Sequence, residues 1–226
     1  MAERSGQGSA PQAVADRVWR LPLRGVNAYA LLAEQSTVLV DAGNRGDGQR
    51  MLAMLRAAGV EAPRHILLTH ADMDHAGGVR AIVDATSAVV HASPEQAELL
   101  AGHGHPPALR RFGRLLTGRL ACVPDLVDGE RVAGLLVLAT PGHTAGHVAL
   151  LREADRVLFA GDALAVRGEN VRLLGAPLTE DMTQATASLK RLADLRPSLL
   201  LPGHGNPLLS PQNALEAAVR MGEGKR

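Results

Sequence analysis

Thiols, aromatic rings and unbroken apolar runs are what this chain has least of. Its 226 residues include one cysteine, Cys122, which rules out an intrachain disulfide framework and any zinc or iron–sulfur site built from several thiolates. Aromatic content is 2%, few rings with which to stack a ring-shaped substrate. No run approaches the ~18 apolar residues of a membrane span, and the Gly/Ser/Pro/Ala-rich residues 1–12 hold no apolar signal core. Neither charge sign prevails: the formal net charge of +1 draws the chain toward neither nucleic acid nor a membrane surface. These absences give the expectation of a cytoplasmic protein without nucleic-acid or membrane partners, with a disordered tail over residues 1–13. What remains, 46% hydrophobic and 21% charged, is the composition of a soluble globular protein, and the length suits one domain over residues 14–226. Composition carries no signal for oligomeric state.

Against this plain background stands the stretch Thr69-His70-Ala71-Asp72-Met73-Asp74-His75-Ala76-Gly77-Gly78, between the apolar run at 66–68 and Val79-Arg80-Ala81-Ile82-Val83. Imidazoles and carboxylates are first-row metal ligands, and a tight turn after a strand aims several of them at one point. The stretch reads as half of a two-metal site. The same residue types also make a polar turn, with Asp72 or Asp74 capping the following helix.

In chain order, residues 14–23 and 27–34 read as strands, and 37–40 as a buried strand stopping at Asp41-Ala42-Gly43. A helix follows with Met51, Leu52, Leu55 and Ala58 on one face. Residues 66–68 form the next strand, and a helix over 78–85 leads to a strand at 88–91. Ser93-Pro94 then opens a short helix. Residues 102–119, rich in Gly, Pro and Arg, break the rhythm as either a lid with anion-contacting arginines or a solvated loop. The second half carries strands at 135–138, 147–151, 156–160 and 199–201, helices at 180–195 and 211–221, and a second irregular stretch at 163–177. Each half therefore runs strand-Asp, helix, strand-His. That repeat predicts two pseudo-symmetric α/β halves packed sheet against sheet, with polar residues at the carboxyl ends of buried strands.

Further along come His143 in Thr140-Pro141-Gly142-His143, Asp162 in Gly161-Asp162-Ala163, and His204 in Pro202-Gly203-His204-Gly205. With Asp41-Ala42-Gly43 and the histidine-aspartate stretch, five motifs stand in the order of the metallo-β-lactamase superfamily, which residues 14–210 resemble. The resemblance implies a four-layer αββα sandwich binding two divalent metal ions, most simply zinc, with manganese or iron as alternatives. It assigns His70, Asp72 and His143 to one ion, Asp74, His75 and His204 to the other, and Asp162 as the bridging carboxylate. Asp41 in this pattern orients a ligand without binding metal; capping the strand-to-helix turn is its other reading.

The implied activity is hydrolysis of a small ester, thioester, lactone or amide by a metal-bridging hydroxide, with Asp74 holding its ion and orienting the nucleophile. Asp72 departs from the common pattern, where a second histidine stands. Two divalent ions against Asp72, Asp74, Asp162 and a hydroxide sum to a formally neutral centre, which suits harder metals better than a histidine site does. Iron-dependent redox chemistry on the same fold is the alternative activity, and a metal-binding protein without catalysis a third reading. Substrate contacts are expected from residues 102–119 and 163–177. His65, His91 and His147 read as structural histidines, the pair His103 and His105 as a weaker extension of the site, and Cys122 as a buried small hydrophobe.

Overall fold

The computed structural model describes residues 10–33, 36–103 and 119–223. Two sheets lie between two layers of helices. The first runs in the order β1 (Gln12–Ala15), β2 (Val18–Pro22), β3 (Asn27–Leu32), β4 (Thr37–Val40), β5 (Pro63–Leu67), β6 (Val89–His91). It is covered by α1 (Asp47–Ala57), α3 (Val79–Thr86) and α4 (Pro94–Ala101); the one-turn helix α2 (Met73–Ala76) sits at its edge. The second sheet contains β7 (Arg131–Val132), β8 (Leu135–Ala139), β9 (Val148–Arg152), β10 (Val157–Arg167), β11 (Asn170–Arg172), β12 (Leu199–His204) and β13 (Leu208–Leu209). Its helices are α5 (Met182–Asp194) and α6 (Gln212–Glu223).

Strand alternation explains the layering. In β3 and β4, Ala28, Ala30 and Leu39 face the helices, while Tyr29, Leu31, Val38 and Val40 face the opposite sheet. In β10 and β12, Leu158, Ala160 and Leu200 face α5 and α6, while Val157, Phe159, Leu199 and Leu201 turn inward. A strand buried on both faces shows a continuous apolar run, and these do. Phe159, fully buried, meets Tyr29 edge-on at 5.7 Å between ring centroids; truncating such a side chain to alanine costs about 3–5 kcal/mol. The Tyr29 hydroxyl donates to the Pro202 carbonyl at 2.7 Å, and Asn27 donates to the carbonyls of Pro202 and Gly205, so polar ties join the sheets next to His204.

The internal repeat is visible in the topology. β4, α1 and β5 form a parallel unit with Val40 opposite Leu67, and β10, α5 and β12 form another with Phe159 opposite Leu201. Two expectations change. The sheet begins earlier than residue 14, because Gln12 and Ala13 pair with Arg20 and Trp19; residues 1–9 lie outside the described residues. And β10 does not stop at Gly161-Asp162 but continues to Arg167 through two register shifts, pairing with β11 as a hairpin. Gly161, at φ 50°, makes the kink in the left-handed region that glycine tolerates. The stretch expected to be irregular over 163–177 is therefore partly sheet, followed by a 3-10 turn at Ala176–Leu178. The span 102–119, and with it the lid and His105, falls outside the described residues except for Gly102, His103 and Arg119.

Candidate metal centre

His70, Asp72, Asp74, His75, His143, Asp162 and His204 come to one edge of the sandwich, whereas His103 does not join them. The loop after β5 delivers His70, Asp72, Asp74 and His75; the turn between β8 and β9 delivers His143; the kinked middle of β10 delivers Asp162; and the end of β12 delivers His204. Ligand atoms of His70, His143 and Asp162 lie within 4.8 Å of one another, as do those of Asp74, His75 and His204. Asp162 stands between the groups: Oδ1 is 3.2 Å from His75 Nε2, and Oδ2 is 3.2 Å from His204 Nε2 and 3.6 Å from His143 Nε2. Asp72 Oδ2 is 3.2 Å from His143 Nε2 and 3.6 Å from His70 Nε2, so aspartate reaches the first group from the position where a histidine is commoner. Asp74 Oδ2 is 3.4 Å from His204 Nε2 and 3.9 Å from His75 Nε2.

The far sides of the imidazoles fix their orientation. His75 Nδ1 donates to Asp41 Oδ2 at 2.8 Å, and His204 Nδ1 donates to the Gly25 carbonyl at 2.7 Å. His70 Nδ1 contacts Thr69 Oγ1 at 3.0 Å, and that hydroxyl in turn donates to Asp41. Each contact leaves Nε2 facing the cluster, as a metal-binding imidazole requires. Asp41 thus supports two histidines, one directly and one through Thr69, and also accepts from the Thr69 amide at 2.8 Å. It caps no helix: Asp47 accepts from the Asn44 amide in the turn before α1. Asp72 stands at the N-cap of α2 without a capping hydrogen bond, so helix capping is not what this aspartate does.

Buried polar atoms normally find partners, and an orphan costs about 1–3 kcal/mol. Here His70 Nε2 and His75 Nε2 are buried and make no hydrogen bond among the described residues. The donor set of imidazole nitrogens and carboxylate oxygens fits divalent cations, which would satisfy them together. The same side chains also perturb one another's protonation. Hydrogen bonds to Asp162 and Asp74 push His204 up to about 10. Burial alone would lower His75, but Asp162 and Asp41 outweigh it and hold the imidazole well above the usual range. Burial likewise works against ionised Asp162 and Asp74, yet His75 and His204 beside them keep both carboxyls below the ordinary range. His143 is lowered by burial.

His147 lies under this cluster in the structural role expected of it. Its Nε2 accepts from the Asp162 amide at 3.0 Å and its Nδ1 meets Thr140 Oγ1 at 2.8 Å. Burial, then the neighbouring His70 and His143, hold it well below the usual histidine range, as suits a neutral acceptor. His65 and His91 form a separate hydrogen-bonded chain ending on Asp125, and His103 pairs with Glu98 at the surface. Cys122 is only partly buried, packs on the first core, and its thiol is pushed up to about 11 by burial.

Three supports escaped the sequence reading. Thr69 relays between Asp41 and His70. Gln96 joins the loops carrying the ligands, accepting from the Ala71 amide at 2.8 Å and donating to Thr144 Oγ1 at 3.2 Å. Gly203 leaves no room for a Cβ, which would collide with Asp162 Oδ1 and His75 Cε1. Gly203 and Thr69 had a signal, each standing beside a candidate ligand histidine, but the contact of Thr69 with Asp41 and those of Gln96 join segments that no local pattern reveals.

The profile of the metallo-beta-lactamase superfamily matches residues 21–204, and the chain belongs to that superfamily. It is 31% identical over 224 residues to the uncharacterized protein YobT of Bacillus subtilis, covering 90% of this chain and 94% of that one. It is 30% identical over 193 residues to thioesterase pkgB of Emericella nidulans, covering 84% of this chain but only 48% of that protein, so it spans about half the length of that relative. Among solved structures it resembles TTHA1623 in a di-iron-bound form, with TM-score 0.67 and 32% identity, covering 84% of this chain and 92% of that one. No helix among the described residues is long and apolar enough to cross a membrane.

Proposed function

We propose that this protein is a binuclear metal-dependent hydrolase of small esters, thioesters, lactones or amides. The observation that carries the reading is the convergence of four imidazole Nε2 atoms and three carboxylates on one sheet edge, with the buried Nε2 atoms of His70 and His75 making no hydrogen bond among the described residues. His70, Asp72 and His143 would hold one ion and Asp74, His75 and His204 the other, with Asp162 between them. Such a pair of ions lowers the pKa of a water and polarises the carbonyl it attacks.

This chain's own residues do the rest. Asp41 and Gly25 hold the proton on Nδ1 of His75 and His204, keeping Nε2 available. Asp74 is the most open carboxylate, its side chain 36% exposed against 4% for Asp162, and it stays ionised beside His204 and His75. That exposure supports a role for Asp74 in orienting a water and accepting its proton. The water oxygen bonds to the carbonyl carbon, the bond to the alcohol, thiol or amine breaks with its electron pair on the leaving atom, and the proton passes there. The name thioesterase on pkgB supports including thioesters.

Iron-dependent redox chemistry is the second reading, favoured by the carboxylate at position 72 and the di-iron form of the similar TTHA1623. Elemental mass spectrometry of protein purified without added metal, followed by a thioester, ester and lactone screen, tests both. About two zinc or manganese ions per chain with turnover supports the hydrolase; iron with oxygen consumption and no hydrolysis overturns it.

A further inference from the structure

A groove of about 1380 Å³ opens beside the centre, with His204 in its wall. Among the described residues its lining has no Phe, Tyr, Trp or acidic side chain, and its ionisable groups are His204, Arg167 and Arg172. The β10–β11 hairpin determines where these arginines stand. Ala165 pairs with Arg172, and Arg167 with Asn170, while Val166 and Val171 between them belong to the core under α5 and α6. Paired residues share a face, so both arginines project from the side of the hairpin opposite that core. On the other edge of β10, Ala165 pairs with His204. His204, Ala165 and Arg172 therefore form a row across three adjacent strands, and two steps of about 4.8 Å place Arg172 roughly 10 Å from His204.

Neither arginine makes an ion pair or side-chain hydrogen bond among the described residues, whereas Arg131, Arg152 and Arg191 are each held by a carboxylate. The groove's remaining wall includes Leu174, Leu178 and Met182, and the last two are 53% and 39% exposed. Walls that mix these aliphatic side chains with the small polar Asn170, Thr183 and Thr186, without rings, suit a flexible chain, and two unpaired guanidinium groups suit an anion at its end.

We infer that the groove selects substrates bearing an anionic group on a flexible aliphatic chain, with Arg172, roughly 10 Å from His204 across the strands, and Arg167 gripping that anion. This rests on the hydrolase reading for the reaction but not for the binding. The test compares the S-ethyl thioester of octanoate with the half-thioester of suberate, which differ in the terminal carboxylate, using metal-loaded protein. The expected preference is about three- to tenfold in kcat/KM for the anionic substrate, carried in KM and shrinking as salt rises, because the arginines are solvent-facing. In Arg167→Ala/Arg172→Ala the ratio should fall to near one, and Arg172→Lys should retain part of it. Equal turnover of the two thioesters in the unaltered protein would overturn the inference while leaving the hydrolase intact. If neither is hydrolysed, calorimetry with suberate and octanoate still decides: tighter suberate binding, lost in the double variant, supports the arginine site, and equal binding refutes it.

Discussion

Replacing Asp41 with asparagine should disarm the centre while leaving the fold in place. Asp41 has φ 62°, a left-handed conformation that asparagine tolerates, so the backbone is not strained by the change. Its carboxylate is buried, with Oδ1 accepting from the Thr69 amide at 2.8 Å and Oδ2 accepting from His75 Nδ1 at 2.8 Å. An asparagine that keeps its oxygen on the Thr69 amide must turn its NH2 toward His75. Two donors then face each other unless the imidazole moves its proton to Nε2, the atom aimed at the metal site. Loss of such a supporting carboxylate typically weakens metal affinity by about 10–100-fold, or roughly 1.4–2.7 kcal/mol. Asp41→Ala should be worse, because His75 Nδ1 and the Thr69 amide would both be buried donors without an acceptor, at about 1–3 kcal/mol each. Chelator competition measures the affinity and thermal melting of metal-free protein the fold. An Asp41→Asn variant that binds metal within twofold of the unaltered protein would refute the tautomer argument.

The other expectations concern the ligands themselves. Asp72→His makes the centre more positive by one charge, so zinc should gain on manganese and ferrous iron in competitive loading; equal or stronger zinc preference in the unaltered protein would sink that reasoning. His143→Ala and Asp162→Ala should lose bound metal and turnover while the far-ultraviolet circular dichroism stays native; retained activity in either disproves the site. His204, raised to about 10 in the metal-free protein, contributes stability that is complete below its unfolded value near 6.5 and fades as pH climbs through about 10. Metal-free protein should therefore melt lower as pH rises across that window. Metal binding, which must displace the proton, should tighten over the same range and release acid in a weakly buffered titration. A pH-independent metal affinity between 6.5 and 10 counts against this assignment.

The layers and the cluster were legible because both follow from local pattern. Apolar runs such as Leu199-Leu200-Leu201 are short, unbroken and stopped by Pro-Gly, which marks a strand buried on both faces. The repeat of strand-Asp, helix, strand-His by itself implies that the candidate ligands share one edge. Continuation of β10 past Asp162 was not legible, since Gly161-Asp162-Ala163 reads as a stop and only pairing with β11 and β12 makes it a bulge. For the same reason the role of Asp41 stayed open between cap and support. Its partners, Thr69 and His75, are 28 and 34 residues away, and only folding brings them within reach.

The two ligand groups each draw on both halves of the molecule: His70 joins His143 and Asp162, and Asp74 with His75 joins His204. Neither half owns a complete site, so whatever cation binds there also acts as a rivet through the seam between the two sheets. If the chain were severed between Leu126 and β7, the fragments would have to find each other before either group of side chains was complete. Metal concentration would then set how tightly the fragments associate, and chelation would loosen the seam from the edge where the chemistry sits.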